Sequence, residues 1–187
     1  VWNNAKSIWE WEKVDMLVVE LAALLHDIAE PKFHNWDETI WPKVAWDFLE
    51  QIWVDEEIIE HVKNIIKCVS FKNSLSVDLN KFDSLELQVV QDADRLDAIW
   101  ALGIARAFSY WWSKKRALYN PEIKPNLNIT KEEYKNSNAP TVNHFYEKLL
   151  LLKNKMNTQA WKKIAEGRHE FMEQYLNQFY NEWEWKS

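Results

Sequence analysis

The sequence predicts an all-α protein, a single-domain helical bundle, from three observations. Apolar residues recur at spacings of three and four along most of the 187 residues. Few stretches alternate apolar and polar residues as strands do. No low-complexity linker or internal repeat divides the chain, and 22.5 kDa is enough for one sizeable core. We therefore predict one domain over residues 1–187.

The same spacings predict the helices in order. A mixed, polar segment over 3–13 precedes the most apolar helix, 15–29, which Pro31 ends because proline cannot continue a helix. Further helices are expected over 42–52, 55–69, about 84–110, about 141–156 and 158–182.

Residues 113–140 form a long polar excursion, rich in Asn and Lys, that contains three prolines. Loops of this length are often functional, or else simply solvated. One hypothesis is a lid over a charged substrate, with Lys114, Lys115 and Arg116 contacting phosphate. The other is an ordinary surface loop.

Charge and cysteine usage exclude several classes of protein. The 23 basic and 29 acidic side chains give a formal charge of −6, which argues against a nucleic-acid-binding surface. The lone Cys68 excludes an internal disulfide framework and fits a reducing compartment. No apolar run is long enough to span a membrane and no signal-peptide pattern occurs, so a cytoplasmic, soluble protein is expected.

The content of tryptophan and glycine is unusual. The chain has 13 Trp and 2 Gly, whereas glycine is ordinarily about 7% of residues. Trp36 and Trp111 stand in contexts where turns favour a small residue with positive φ. Some of these tryptophans are suspected not to be native choices, and none is assigned a functional role.

The first motif with chemical content is Leu24-Leu25-His26-Asp27-Ile28-Ala29-Glu30. A histidine and a carboxylate at the end of an apolar helix are unfavourable unless a partner compensates their burial, and a divalent metal is one such partner. His26 and Asp27 diverge by roughly 100°, so both reach one ion only near a helix end. The alternative is a core histidine hydrogen-bonded to a carboxylate.

The second motif is Gln91-Asp92-Ala93-Asp94-Arg95-Leu96-Asp97-Ala98, within an otherwise apolar helix. Asp94 and Asp97, three apart, share a helix face. Taken alone, this is also the pattern of a solvated acidic patch with an intrahelical Arg95 pair. Together with His26 and Asp27, a mixed nitrogen and oxygen site for Mn²⁺, Mg²⁺, Fe²⁺ or Zn²⁺ is the better account.

These two motifs resemble those of the HD-domain phosphohydrolases, a helical superfamily named for its His-Asp pair. Leu25-His26-Asp27-Ile28-Ala29 matches the dyad motif and Ala93-Asp94-Arg95-Leu96 the later one. The resemblance implies an HD-type bundle in which His26, Asp27 and Asp94 bind a divalent metal, with Mn²⁺ favoured. The family's first metal histidine is expected upstream of Val1.

The resemblance extends over nearly the whole chain. Segments 32–34, 70–72, 92–98 and 143–149 look like a small stand-alone bacterial subgroup, some members of which are similar to nucleoside triphosphate pyrophosphohydrolases. In that subgroup glycine tends to occupy four of the tryptophan positions, namely Trp36, Trp41, Trp100 and Trp111.

The resemblance also implies roles for other polar residues. Glu30 lies four after His26, where related hydrolases carry an acidic group that acts on the attacking water; Asp97 is a second candidate for this catalytic role. A helix-end carboxylate facing solvent is an equal alternative for Glu30. From their charge, the residues proposed to bind substrate phosphates are Lys32, His34, Lys72, Arg95 and Arg106. For Lys32 and Lys72 the alternative is an ordinary solvated surface lysine.

The implied activity is metal-dependent hydrolysis of a nucleotide, most favourably of a nucleoside triphosphate to a monophosphate and pyrophosphate. A nucleoside monophosphate phosphatase and a cyclic-nucleotide phosphodiesterase remain alternatives. Outside enzymes, the alternative is a catalytically silent HD module that senses nucleotide or metal; a histidine just before Val1 would favour the enzyme. The expected partner is a small-molecule nucleotide, without nucleic acid or membrane, and the chain is compatible with a homodimer.

Overall fold

The computed structural model describes residues 1–9, 13–28, 37, 40–71 and 82–186, and every regular element within those ranges is helical. The all-α prediction is confirmed. The helices are α1 (Trp2–Trp9), α2 (Met16–Leu25), α3 (Ile40–Gln51), α4 (Glu56–Val69), α5 (Leu85–Ala98), α6 (Ala101–Ser113), α7 (Lys131–Asn136), α8 (Thr141–Glu147), a 3₁₀ helix (Leu149–Lys155) and α9 (Gln159–Trp183).

The chain divides into two compact units, Val1–Asp94 and Arg95–Ser187, with the boundary inside α5. In the first unit α2 packs against α1 and α4, and α3 packs against α4. Short aliphatic side chains form its core because they fill the narrow space between closely packed helices. They include Val18, Val19, Ala22, Val62, Ile65, Ile66, Val89 and Val90.

Local capping fixes where two helices of the first unit begin. The Asp15 carboxylate accepts hydrogen bonds from the backbone N–H groups of Leu17 and Val18, at 2.9 and 3.2 Å. The Ser84 hydroxyl accepts from the N–H of Leu87 at 3.1 Å, at the start of α5. Each satisfies donors that a helix leaves unpaired in its first turn.

The second unit is built around α8, the 3₁₀ helix and α9. The 3₁₀ helix packs against both neighbours and buries Leu149 and Leu152. In the same unit, α6, α8 and α9 contribute an aromatic cluster whose paired ring centroids lie 5.8–6.3 Å apart; its members are Phe108, Phe145, Tyr175 and Phe179. Such spacing is favourable for offset and edge-on ring pairs, so this cluster stabilises the unit.

Two predicted helices are each divided in the structure. The run predicted over 84–110 forms α5 and α6, with Trp100 between them at a φ of 99°. The run predicted over 141–156 forms α8 and then the tighter 3₁₀ helix, which begins after Lys148.

The 113–140 excursion is attached to its own unit at several points. The backbone N–H groups of Thr141 and Val142 donate to the carbonyls of Ala117 and Leu118, at 2.9 and 3.0 Å. Its short helix α7 begins with a capping box between Thr130 and Glu133. The excursion is therefore hydrogen-bonded to α8; its role as a lid stays a prediction.

Within the ranges that the structure describes, no helix combines the length and the apolar character needed to cross a bilayer.

Candidate functional site

The end of α2 positions His26. Val18, Val19, Ala22 and Ala23 are buried and fix the helix in the first unit, and His26 follows as its C-cap residue with helical φ and ψ. The Nδ1–H of the imidazole donates to the carbonyl of Ala23 at 2.8 Å. When Nδ1 carries the proton, the lone pair of Nε2 points away from the helix backbone. This is the arrangement of a histidine that binds a metal through Nε2.

The Nε2 atom of His26 lies near two carboxylates. It is 3.2 Å from Oδ2 of Asp27 and 3.8 Å from Oδ1 of Asp94, which comes from α5. The structure thus brings together the three residues that the sequence proposes as metal ligands. Asp27 follows His26 in the chain, whereas Asp94 reaches the site because α5 packs within the same unit.

Among the described residues, the buried Nε2 atom makes no hydrogen bond of good geometry, although Oδ2 of Asp27 lies only 3.2 Å away. Burial lowers the pKa of His26, but the adjacent Asp27 and Asp94 carboxylates outweigh it and the pKa is raised. A buried lone pair beside two carboxylates is unfavourable unless a proton or another cation lies among them. The site therefore favours binding of a cation.

The donor types, one imidazole nitrogen and two carboxylates, suit a divalent metal of the first transition series or Mg²⁺. They do not by themselves complete a coordination shell. Throughout the described residues, no group of three or more His, Cys, Asp and Glu side chains has the geometry to hold an ion. The observation that fits a metal is thus the unpartnered Nε2 and its two acidic neighbours.

Asn4 also bears on this site, although no sequence pattern predicts its contact. Its side-chain amide donates to the carbonyl of Ala93 at 3.2 Å, so α1 is joined to α5 one residue before Asp94. An asparagine in a short polar helix has no pattern that reveals a long-range partner.

In the second unit, Asp97 and Arg106 form an ion pair. Nη1 of Arg106 lies 2.7 Å from Oδ2 of Asp97, and Nη2 donates to the Asp97 carbonyl at 3.2 Å. Burial raises the pKa of Asp97, but the hydrogen bond from Arg106, together with nearby positive charge, outweighs it and the pKa is lowered. One proposed catalytic residue and one proposed phosphate-binding residue therefore contact each other.

Two further arginines, Arg95 and Arg168, donate to backbone carbonyls within the second unit. Arg95 is buried and donates to the carbonyl of Lys155. Arg168 of α9, which the sequence analysis missed, donates to the carbonyl of Leu96 at 2.5 Å, and its guanidinium lies 4.9 Å from the centre of the Trp100 ring. No motif marks Arg168, because its partners are about seventy residues away in the chain.

Four of the proposed site residues, Glu30, Lys32, His34 and Lys72, lie outside the described residues. Their catalytic and phosphate-binding roles stay predictions.

Two of the other described histidines, His61 and His169, have different surroundings. Nε2 of His61 lies 3.1 Å from the Ser84 hydroxyl and 3.6 Å from Glu86, so it joins α4 to the start of α5. Nε2 of His169 lies 3.3 Å from Glu173, one turn along α9. These contacts fit structural roles.

Comparison with known proteins gives consistent results. The family model for the HD domain matches residues 1–99. The uncharacterized protein YpgQ of Bacillus subtilis is 38% identical over 176 residues, which cover 93% of this chain and 76% of YpgQ.

Solved structures are similar along nearly the whole chain. A Lactobacillus plantarum protein aligns with a TM-score of 0.81 at 35% identity, over 97% of this chain and 82% of that one. A Bacillus thuringiensis protein described as an HD-superfamily hydrolase aligns at 0.69 and 42% identity, over 97% and 81%. YpgQ, solved in complex with ADP, aligns at 0.71 and 35% identity, over 96% and 81%.

Proposed function

Because the chain belongs to the HD domain family, a family that includes hydrolases, we propose that it is a metal-dependent phosphohydrolase acting on nucleotides. The observation that carries the proposal is the buried Nε2 of His26, which makes no hydrogen bond of good geometry within the described part of the chain and lies beside Asp27 and Asp94. This arrangement favours a cation, and a divalent ion is the cation that hydrolytic chemistry can use.

His26, Asp27 and Asp94 are the proposed ligands, and Mn²⁺ is the favoured ion. When bound, such an ion lowers the pKa of a coordinated water and neutralises phosphoryl charge. The protein's own contribution is to fix the donors. The Ala23 carbonyl holds the His26 ring in one tautomer, and the Asn4 amide joins α1 to α5 beside Asp94.

The proposed roles of the other residues follow from their charge. Glu30 orients the attacking water and accepts its proton. Asp97 is the weaker candidate for that role, because Arg106 lowers its pKa and a carboxylate with a lowered pKa is a weaker base. Arg106, together with Lys32, His34, Lys72 and Arg95, is proposed to bind phosphate oxygens.

The substrate class is supported by the YpgQ structure with ADP, since YpgQ is similar over nearly the whole chain. The proposed reaction is attack of water on the α-phosphorus of a nucleoside triphosphate. A bond forms from the water oxygen to phosphorus, the bond to the bridging oxygen breaks, and pyrophosphate leaves. The choice of the α–β bond rests on family resemblance alone.

The competing proposal is a catalytically silent HD module that binds nucleotide or metal as a sensor. The observation that favours it is the incomplete donor set, since the described residues contain no group of three or more ligands arranged around one point. Both proposals allow binding of metal or nucleotide, so turnover is the measurement that separates them.

The test uses the purified chain with a panel of nucleoside mono-, di-, tri- and cyclic phosphates and Mn²⁺, resolving pyrophosphate from orthophosphate. Asp94→Asn should remove bound metal and lower turnover by at least about 100-fold. Loss of a residue that only supports a metal ligand already lowers affinity or activity by about 10–100-fold, and loss of the ligand itself should lower them at least as much. Asp47→Asn, a change of an exposed carboxylate on α3, is the matched control and should leave both unchanged.

Pyrophosphate release from a triphosphate that needs metal supports the proposal. Metal and nucleotide binding without turnover supports the sensor. Turnover that persists in Asp94→Asn, or in chelator, contradicts the metal-dependent mechanism.

A further inference from the structure

Four non-glycine residues among the described ranges have a positive φ, and three of them are tryptophans. The angles are 60° at Trp53, 99° at Trp100 and 56° at Trp185; the fourth residue is Lys115, at 57°. A side chain with a Cβ is disfavoured in this region, and for a bulky residue it is a clear outlier.

Trp53 ends α3 in a Schellman motif. Its N–H donates to the carbonyl of Glu50 at 3.1 Å, and the N–H of Val54 donates to that of Leu49 at 3.2 Å. These two bonds place Trp53 at the position that follows the C-cap, which glycine usually occupies. The Trp53 side chain is 93% exposed, so burial does not compensate the backbone strain.

Trp185 occupies the same position at the end of α9. Its N–H donates to the carbonyl of Glu182 at 3.2 Å, and the N–H of Lys186 donates to that of Asn181 at 2.8 Å. The Trp185 side chain is 91% exposed. Two helix ends thus carry an exposed indole at the glycine position of this motif, and a third, the end of α6, carries Lys115 there.

Trp100 is the more strained case. Its φ of 99° and ψ of −172° lie in a region that only glycine adopts readily. It is the N-cap of α6 and its side chain makes no capping hydrogen bond, whereas glycine is an accepted N-cap. The turn is tight as well, since a Cβ at Gly103 would lie 2.1 Å from the carbonyl oxygen of Ala98.

Composition points the same way. Ordinary usage of about 7% would give a chain of this length about 13 glycines. The chain has 2 Gly and 13 Trp. If one triplet that is translated here as tryptophan encodes glycine in the source organism, tryptophan would replace glycine at many positions of the sequence at once. The backbone at those positions would still have the conformation that suits glycine.

We infer that glycine is the native residue at positions 53, 100 and 185, so that the triplet assigned to tryptophan there is decoded as glycine in the organism that makes this protein. The inference is independent of the proposed function, because it depends only on backbone conformation and composition.

The first test is thermal unfolding of paired variants. Ala removes the indole but keeps the Cβ, so the difference between Gly and Ala isolates the backbone effect. At each of 53, 100 and 185 the Gly variant should melt about 2–4 °C above the Ala variant. The matched control is Trp112, an exposed indole inside α6 whose φ is not positive; there the Ala variant should be the more stable.

The second test is peptide mass spectrometry of the protein purified from its source organism. Peptides that span 53, 100 and 185 should carry glycine. Tryptophan in those peptides would overturn the inference, and so would Ala variants as stable as the Gly variants at all three positions.

Discussion

Two histidines, one in each unit, lie in opposite electrostatic surroundings. His26 has the Asp27 and Asp94 carboxylates within 3.8 Å of Nε2, and its pKa is raised against the effect of burial. His144 is partly buried and lies near Lys148 and Arg116, and the loss of solvent and the two positive charges all lower its pKa well below 6.5. Its ring packs against Trp111 and Tyr134.

The difference shows that burial alone does not mark a functional histidine. Both rings are largely shielded, but only His26 has neighbours that would stabilise a cation at its open nitrogen. Nearby cations make His144 a poor place for a proton or a metal. The two residues therefore form a natural pair for experiment.

The largest expected effect is on stabilisation by metal. At a concentration of Mn²⁺ 100 times its dissociation constant, binding should add about 2.7 kcal/mol to the free energy of unfolding. His26→Gln should abolish this increment, and His144→Gln should retain it. Calorimetric unfolding with and without Mn²⁺ measures both. Equal increments in the two variants would break the comparison.

A smaller effect is expected on the pH dependence of stability. Because the folded-state pKa of His144 is below its unfolded value, the unfolded chain binds a proton first as the pH falls below 6.5. Stability from this residue is complete above pH 6.5 and is lost progressively below it, by about 1 kcal/mol at pH 5.5.

His144→Gln should therefore lose less stability than the parent between pH 7.5 and 5.5, as followed by urea unfolding at each pH. A parallel loss in both proteins would show that His144 is protonated in the folded state.

The smallest effect is expected at the Asp97–Arg106 ion pair. Here the positive charge beside the carboxylate is an arginine of the chain, whereas at His26 it would be a bound metal ion. The pair is partly exposed, so Asp97→Asn should lower the free energy of unfolding at pH 7 by about 0.5 kcal/mol. The lowered pKa of Asp97 means that this contribution is present above pH 3.8 and is lost as the pH falls through the folded value.

Metal content should not change in Asp97→Asn, in contrast to Asp94→Asn. Elemental analysis of the two purified variants makes the comparison, and loss of metal in both would show that the two carboxylates act on one ion.

Much of the fold was predictable from the apolar pattern, because α4 and α9 keep one apolar face for several turns and α2 is apolar almost throughout. The division between α5 and α6 was not, since a tryptophan at position 100 conceals the turn that a glycine would have signalled. Helix α7 could have been predicted from Thr130 and Glu133, which are spaced as a capping box.

The three proposed metal ligands could be named from their two motifs, but the contacts that surround them could not. His26 and Asp27 are adjacent, and their motif pairs them with Asp94. The Asn4 amide and Arg168 reach their partners through tertiary packing, which no local pattern encodes.

The hydrogen bonds that join the two ends of the 113–140 excursion have a consequence for protein engineering. Its ends are joined by the backbone bonds from Thr141 to Ala117 and from Val142 to Leu118, and Arg116 donates to the carbonyl of Ser137. For a loop whose ends are already fixed, added residues cost closure entropy only in proportion to the logarithm of length. An epitope tag inserted at its exposed tip, beside Leu127, should thus be accommodated without loss of the fold.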